Sequence, residues 1–380
     1  MIQHKCKFGE NSHPSINEIE SFHQFDTNGH DLTDCTMQDV DFTKEKINWD
    51  IYHFKNTTFL GCNLTLEDQL TILKKGGIIF PKADHLPYNP FRKAMYTWQE
   101  LMNPIDDHGD SDYHIYKHFE KKKFTPSVNE ALYQRIHDHA MDDALRNYLK
   151  FDKDGMPSKK CIGIMGGHSA KRSDKFFYKT ALTAKILTEN GYFIISGGGP
   201  GIMEAANLGA YMAGKSIKDL KDAILMLSEE SDFNKPKYLD LARAVIDKYP
   251  STSESMAIPT WFYGHEPSNL FGTHIAKYFS NSIREDTLLA ISMHGIVFAP
   301  GSAGTTQEIF MDATQNHYGT FNYYSPMVFL GKDRYQKETK LFPLLKSLAK
   351  GKEYEDLLYL TDSPYHVLRF LEGHAPVGIV

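Results

Sequence analysis

A chain of 380 residues that is 41% hydrophobic can build one large core or two modest ones. A formal net charge of −6 argues against a protein that clamps nucleic acid by bulk charge, and the basic run Lys121-Lys122-Lys123 adjoins Glu120 and reads as a solvated face. No apolar run approaches the roughly 20 residues of a membrane span, the N-terminus lacks the apolar stretch of a signal peptide, and the four cysteines (Cys6, Cys35, Cys62, Cys161) show no CxxC spacing, so a reducing, cytoplasmic setting is expected.

In chain order, the first distinctive pattern is a five-residue recurrence of apolar positions: Leu32, Met37, Phe42, Ile47 and Tyr52, then Phe59 and Leu64. It suggests either a short pentapeptide-type β-coil or irregular strands and turns. The positions a coil would turn inward hold His30, Glu45 and Asp50 instead of small residues. Thr65–Lys75 reads as a helix and Gly77–Phe80 as a strand. The capping box Ser127-Val128-Asn129-Glu130 opens a helix to about Lys150. His108, His114 and His118 lie among Asp106, Asp107, Asp110 and Asp112 without a metal-ligand spacing, so no metal is expected. The polar, Gly/Pro-broken run 151–158 is a linker. It separates an N-terminal region (1–155) of smaller α+β character from a second region (156–380).

From Lys159 onward apolar runs alternate with helical patterns, the signature of a parallel α/β sheet. Strands are expected at Cys161–Met165, Phe193–Ser196, Ala223–Leu227, Met256–Phe262, Gly295–Ala299 and Met327–Leu330. Helices are expected at Phe176–Asn190 and Ile202–Ala213, with closing helices at Leu341–Leu348 and Tyr365–Leu371. The fold class is therefore α/β: a Rossmann-like doubly wound parallel sheet preceded by a smaller N-terminal α+β region.

Three loops fall at the C-terminal ends of expected strands, where open α/β sheets bind ligands. They are Gly166-Gly167-His168-Ser169, Gly197-Gly198-Gly199-Pro200-Gly201-Ile202-Met203-Glu204, and Pro300-Gly301-Ser302-Ala303-Gly304-Thr305-Thr306-Gln307-Glu308. Glycines at a strand-to-helix turn leave backbone N–H groups bare at a helix N-terminus, which suits an anion. The G-x-G-x-x-G dinucleotide fingerprint and the Gly-Lys-Ser/Thr of a P-loop are both missing, so a mononucleotide fits better than NAD or ATP.

The turn Gly197–Glu204 with Ala205-Ala206-Asn207-Leu208-Gly209-Ala210, together with the Pro300–Glu308 loop, resembles the Lonely Guy family, long mislabelled as lysine decarboxylases. Its signature pairs a GGG-x-x-G-x-M turn with a P-G-G-x-G-T-x-x-E loop, and the likeness covers roughly residues 159–372. The resemblance implies a cofactor-free phosphoribohydrolase that splits nucleoside 5′-monophosphates into free base and ribose 5-phosphate. It also implies a homodimer or higher oligomer, with aromatic segments such as Phe271–Phe279 and Tyr318–Tyr324 at contacts. On this resemblance Glu308 is the catalytic carboxylate and Arg284 the clamp on phosphate or transition state, unless Arg284 merely pairs with Glu285 or Asp286. Gly301, Gly304, Thr305 and Thr306 form the phosphate loop, with Ser302 in place of the second Gly and Glu285 where the family carries Lys. Gly167, Ser169, Gly198, Gly199, Gly201 and Met203 complete the expected binding set. Glu204 is either a second site carboxylate or a first-turn glutamate favoured by the helix dipole. His168 and the aromatics of Pro259–Pro267 are candidates for base contact. The alternative to catalysis is a non-catalytic nucleotide sensor.

Overall fold

The computed structural model describes residues 15–26, 30–106, 109–152 and 155–379. Cys6, Asp107, His108 and part of the expected linker lie outside them. Two compact units interleave along the chain: 15–95 with Lys122–Tyr148, and Tyr96–Lys121 with 149–379. The chain thus passes between the units more than once, instead of once near residue 155.

In the first unit, four short strands (Ser15–Ile16, Thr36–Gln38, Thr58–Leu60, Ile78–Phe80) pair in parallel in sequence order. Thr36 pairs with Thr58 and Thr58 with Ile78, so the chain winds once between neighbours. Leu32, Met37, Phe42, Phe59 and Leu64 are buried, and Phe22 and Trp49 fill the space between them. Glu45 and Asp50 are exposed, which explains how the winding tolerates them. The helix Val128–Leu149 begins where Ser127 Oγ accepts from the Glu130 amide.

The second unit is a seven-stranded, wholly parallel sheet. Its strands are β1 (Lys160–Met165), β2 (Tyr192–Ser196), β3 (Ser255–Ala257), β4 (His274–Ile275), β5 (Ile296–Phe298), β6 (Met327–Leu330) and β7 (Leu358–Thr361). They lie in the order β4-β3-β2-β1-β5-β6-β7. The central strands are almost continuous apolar runs because both faces are covered: Ile162, Ile164, Ile194, Val297 and Val328 are fully buried against helical Ala184, Leu187 and Ala206. The helices that matter below are α1 (Lys175–Glu189), α2 (Ile202–Tyr211), α3 (Ile217–Leu227), α4 (Pro236–Lys248), α5 (Asn281–Ile291) and α6 (Ala303–Tyr318). Among the described residues, no helix is long and apolar enough to cross a membrane.

One expected strand is a helix. Ala223–Leu227 is the last part of α3, which opens with a Ser216–Asp219 capping box. A short apolar run does not distinguish a buried strand from a buried helix segment. The spacing of Leu220, Ala223, Ile224 and Leu227, all buried while Leu225 is exposed, is helical. The strand expected at Met256–Phe262 is shorter, since Pro259 has no N–H to continue the ladder.

Candidate functional site

The strand order reverses between β1 and β5, and their carboxyl ends frame a crevice. The turns above these strands are packed tightly on one another. The Gly167 amide donates to the Pro300 carbonyl at 3.1 Å. A Cβ on Gly167 would stand 3.2 Å from the Gly301 Cα. Gly201 has φ +68°, and a Cβ there would meet the carbonyl oxygens of Gly167 and His168 at 2.6 Å, so only glycine fits. The β2 turn is pinned from within the core. Ser196 Oγ donates to Asn207 Oδ1 (2.6 Å) and accepts from the Gly198 amide (3.0 Å). Asn207 Nδ2 donates to Ser255 Oγ and the Met256 carbonyl, while Asn269 Nδ2 donates to Asn207 Oδ1 and the Gly198 carbonyl. A fully satisfied buried network of this kind fixes one backbone path.

A cavity of about 580 Å³ opens above these turns, bounded by the β1 and β2 turns, the loop after β3, α5 and the start of α6. Its floor is a buried ion pair. Arg284, on α5, places Nη1 3.4 Å from Glu308 Oε1 on α6. The rest of the guanidinium donates to the Ile258 carbonyl (2.7 Å) and the Gly197 carbonyl (3.3 Å). Burial pushes the Glu308 carboxyl up to about 7; Arg284 opposes the shift and nearby Glu285 adds to it. Glu285 accepts from Gln307 Nε2 at 2.7 Å. At the mouth, Ser302 precedes α6 without capping it through its side chain, which leaves the first-turn amides to face an anion.

The loop after β3 carries Thr260, Tyr263 and Glu266 on the cavity wall. Asn281 Nδ2 donates to Tyr263 Oη at 3.0 Å. His168 Nδ1 lies 3.7 Å from Glu266 Oε1. Behind the loop, Trp261 is fully buried and donates Nε1–H to Asp112 Oδ1 (2.9 Å). Lys277, also buried, pairs with Asp112 at 2.8 Å and donates to the Glu266 carbonyl at 3.3 Å.

No family model matches the chain, and no curated protein is significantly similar to it. Solved structures are similar over part of it. The molybdenum cofactor binding protein of the phototrophic bacterium Rippkaea orientalis is 14% identical over 57% of this chain and 96% of its own, with a TM-score of 0.36. The Moco carrier protein of Chlamydomonas reinhardtii is 16% identical over 57% of this chain and 99% of its own, with a TM-score of 0.37. Likenesses this distant do not bear on what the cavity holds.

Of the residues singled out in the sequence, Gly167, Gly199, Met203, Arg284, Ser302, Gly304, Thr305 and Glu308 line the cavity. Gly198 and Gly201 shape the turn without lining it. Gly301 presents its carbonyl to Arg334 Nη2 at 2.6 Å. Thr306 Oγ1 donates back to the Ser302 carbonyl (2.9 Å), and Ser169 is exposed outside the lining. Ser302 has φ −110°, so a side chain there costs no left-handed strain.

Glu204 is not a site carboxylate. It is fully buried, held by the Arg172 guanidinium through Nε (2.9 Å) and Nη2, and by Tyr238 Oη (2.7 Å). Arg172 lies over the Tyr238 ring and also donates to the Glu230 and Tyr238 carbonyls. The i+3 position after Gly201 turns Glu204 toward Arg172, in the loop after β1, and Tyr238 of α4. Trp261 likewise belongs to the core. So do Phe271, Tyr278 and Phe279 of the segment expected at a subunit contact. Asn316 is structural, bonded both ways to Ser325. Among the described residues no group of three or more His, Cys, Asp or Glu is placed to hold a metal ion. Glu266 is the residue the sequence reading passed over. A lone glutamate in an aromatic loop carries no motif, and only the sheet order brings it beside the glycine turns.

Proposed function

We propose that this chain hydrolyses the N-glycosidic bond of nucleoside 5′-monophosphates. The carrying observation is Glu308, a buried carboxylate lining a cavity beside the bare amides of the α6 N-terminus. The phosphate sits on those amides with the Ser302 hydroxyl, which anchors and orients the ribose. Cleavage develops positive charge on the ribose as the base departs. The Glu308 carboxylate stabilises that charge or takes a proton from the attacking water. Water adds to the anomeric carbon, the base leaves with the bonding electrons and is protonated, and ribose 5-phosphate remains. Arg284 holds Glu308 in place and keeps it partly ionised despite its burial. The test is to incubate the purified protein with a panel of monophosphates and assay free base. Release from at least one, abolished in Glu308→Gln, supports the reading; no release from any sinks it.

A second reading is a nucleotide sensor that cleaves nothing. The observation that favours it is the cavity's charge. Among the described residues, Arg284 is the only Lys or Arg in the lining, it is already committed to Glu308, and Glu266 and Glu285 add negative charge. A nucleotide recovered intact after long incubation with the protein supports this alternative.

A further inference from the structure

We propose that Glu266 selects a guanine-type base by accepting two hydrogen bonds from its adjacent ring N–H and exocyclic amino group. This rests on the nucleotide reading of the cavity above. The sheet order sets the two ends of the cavity. The turn after β3 is three strand steps from the turn after β5, across β2 and β1. The loop after β3 runs back over the two turns between: Glu266 Oε1 lies 3.7 Å from His168 Nδ1 of the β1 turn, and a Cβ on Gly199 of the β2 turn would stand 3.1 Å from Glu266 Oε2. Glu266 therefore faces the start of α6 across the cavity that both line. A phosphate on the α6 amides therefore puts the base at the Thr260–Glu266 end, with Tyr263 beside its face.

The chemistry at that end is acidic and accepting. Glu266 lines the cavity with its carboxylate partly exposed. Its nearest ionic neighbour is His168, at 3.7 Å, beyond hydrogen-bonding distance. Gly199 makes room for it: a Cβ there would stand 3.1 Å from Glu266 Oε2. The backbone that carries it is held, because buried Lys277 grips the Glu266 carbonyl and the Asp112–Trp261 bond anchors the same loop.

A carboxylate offers two acceptors side by side and no donor. Only a base with two adjacent donors on one edge satisfies both, and the bond is charge-assisted. Guanine has them in N1–H and the 2-amino group. Adenine and cytosine place a ring acceptor next to their amino group, against the carboxylate. Uracil flanks its single N–H with two carbonyls. A site built to pair polar groups rejects bases that leave them unpaired.

The test is calorimetric titration of the full chain with guanosine, inosine and adenosine 5′-monophosphates, beside Glu266→Gln. Wild type is expected to bind the guanine nucleotide on the order of 100-fold more tightly than the adenine one, with the inosine nucleotide between, since it keeps N1–H and lacks the amino group. The side-chain amide in Glu266→Gln presents one acceptor and one donor, a pair that both adenine and guanine can meet, so the preference for guanine should fall to within about tenfold. Equal affinities in wild type, or an unchanged preference in Glu266→Gln, overturns the proposal while leaving the nucleotide reading standing. Failure of all three monophosphates to bind wild type removes the nucleotide reading itself. Glu266→Ala distinguishes a folding defect from lost recognition: it should weaken the guanine nucleotide and leave the adenine nucleotide near its wild-type affinity.

Discussion

Arg284 contacts Glu308 at 3.4 Å while donating to the carbonyls of Gly197 and Ile258. One guanidinium thereby joins α6 to the chain just beyond β2 and β3. Gly197 must be glycine for this, since a Cβ there would lie 2.4 Å from Arg284 Nη2. The carboxylate and the turn that shapes the cavity are thus referenced to the same cation.

Replacing Glu308 by Gln keeps size and burial and removes the charge. Turnover should fall on the order of 100-fold or more, as for a lost acid–base or electrostatic group. Nucleotide affinity should change little. Base release measured beside calorimetric binding separates the two effects.

The pH dependence has a defined sign. Glu308 titrates near 7 in the folded chain, above its ordinary value of 4.5. The reaction uses the ionised form, so kcat/KM should rise as pH increases through about 7 and then level off. Stability runs the other way. The folded state binds this proton more tightly than the unfolded state, so its contribution is complete below pH 4.5 and is lost as pH rises through about 7. Glu308→Gln should flatten that window and melt higher than wild type at pH 8. Thermal melts from pH 4 to 8 check it; a steeper pH dependence in the variant would contradict the assignment.

Glu204→Ala leaves the Arg172 guanidinium buried without its carboxylate. Removing one partner of such a pair costs about 3–5 kcal/mol, so denaturant midpoints should drop sharply. The fraction that remains folded should keep its turnover, because Glu204 does not line the cavity. Loss of turnover at unchanged stability would return Glu204 to the site.

Gly201→Ala forces a side chain into a left-handed turn against two carbonyl oxygens. The conformational penalty alone is about 1–2 kcal/mol, and the clash displaces the β1 turn. Weaker monophosphate binding together with a lower melting temperature is expected. A variant that binds as wild type does would show that the turns need not touch.

Much of the sheet was legible in the sequence because its strands are buried on both faces and read as apolar runs. The glycine turns were legible because close approach and positive φ leave glycine as the only choice, as at Gly201. Three things were not. Ala223–Leu227 read as a strand because its helical phase lies mostly upstream, at Ser216 and Leu220. Glu204 read as a possible ligand because its partners, Arg172 and Tyr238, are 32 and 34 residues away in opposite directions. Glu266 stayed hidden because two-residue β4 is too short to expect and β3, expected to run on to Phe262, ends at Ala257, and its position depends on both.

The counterion of Lys277 is Asp112, on the helix Ser111–Glu120, well upstream of the sheet. The α/β half of this protein is therefore not portable as a C-terminal fragment. A truncation beginning at residue 156 would strand an ammonium group in the interior and strip Trp261 of its acceptor. A graft onto another scaffold must carry the stretch 96–121 with it, and homologous chimaeras cut at the apparent linker should be insoluble where those cut to include that stretch are not.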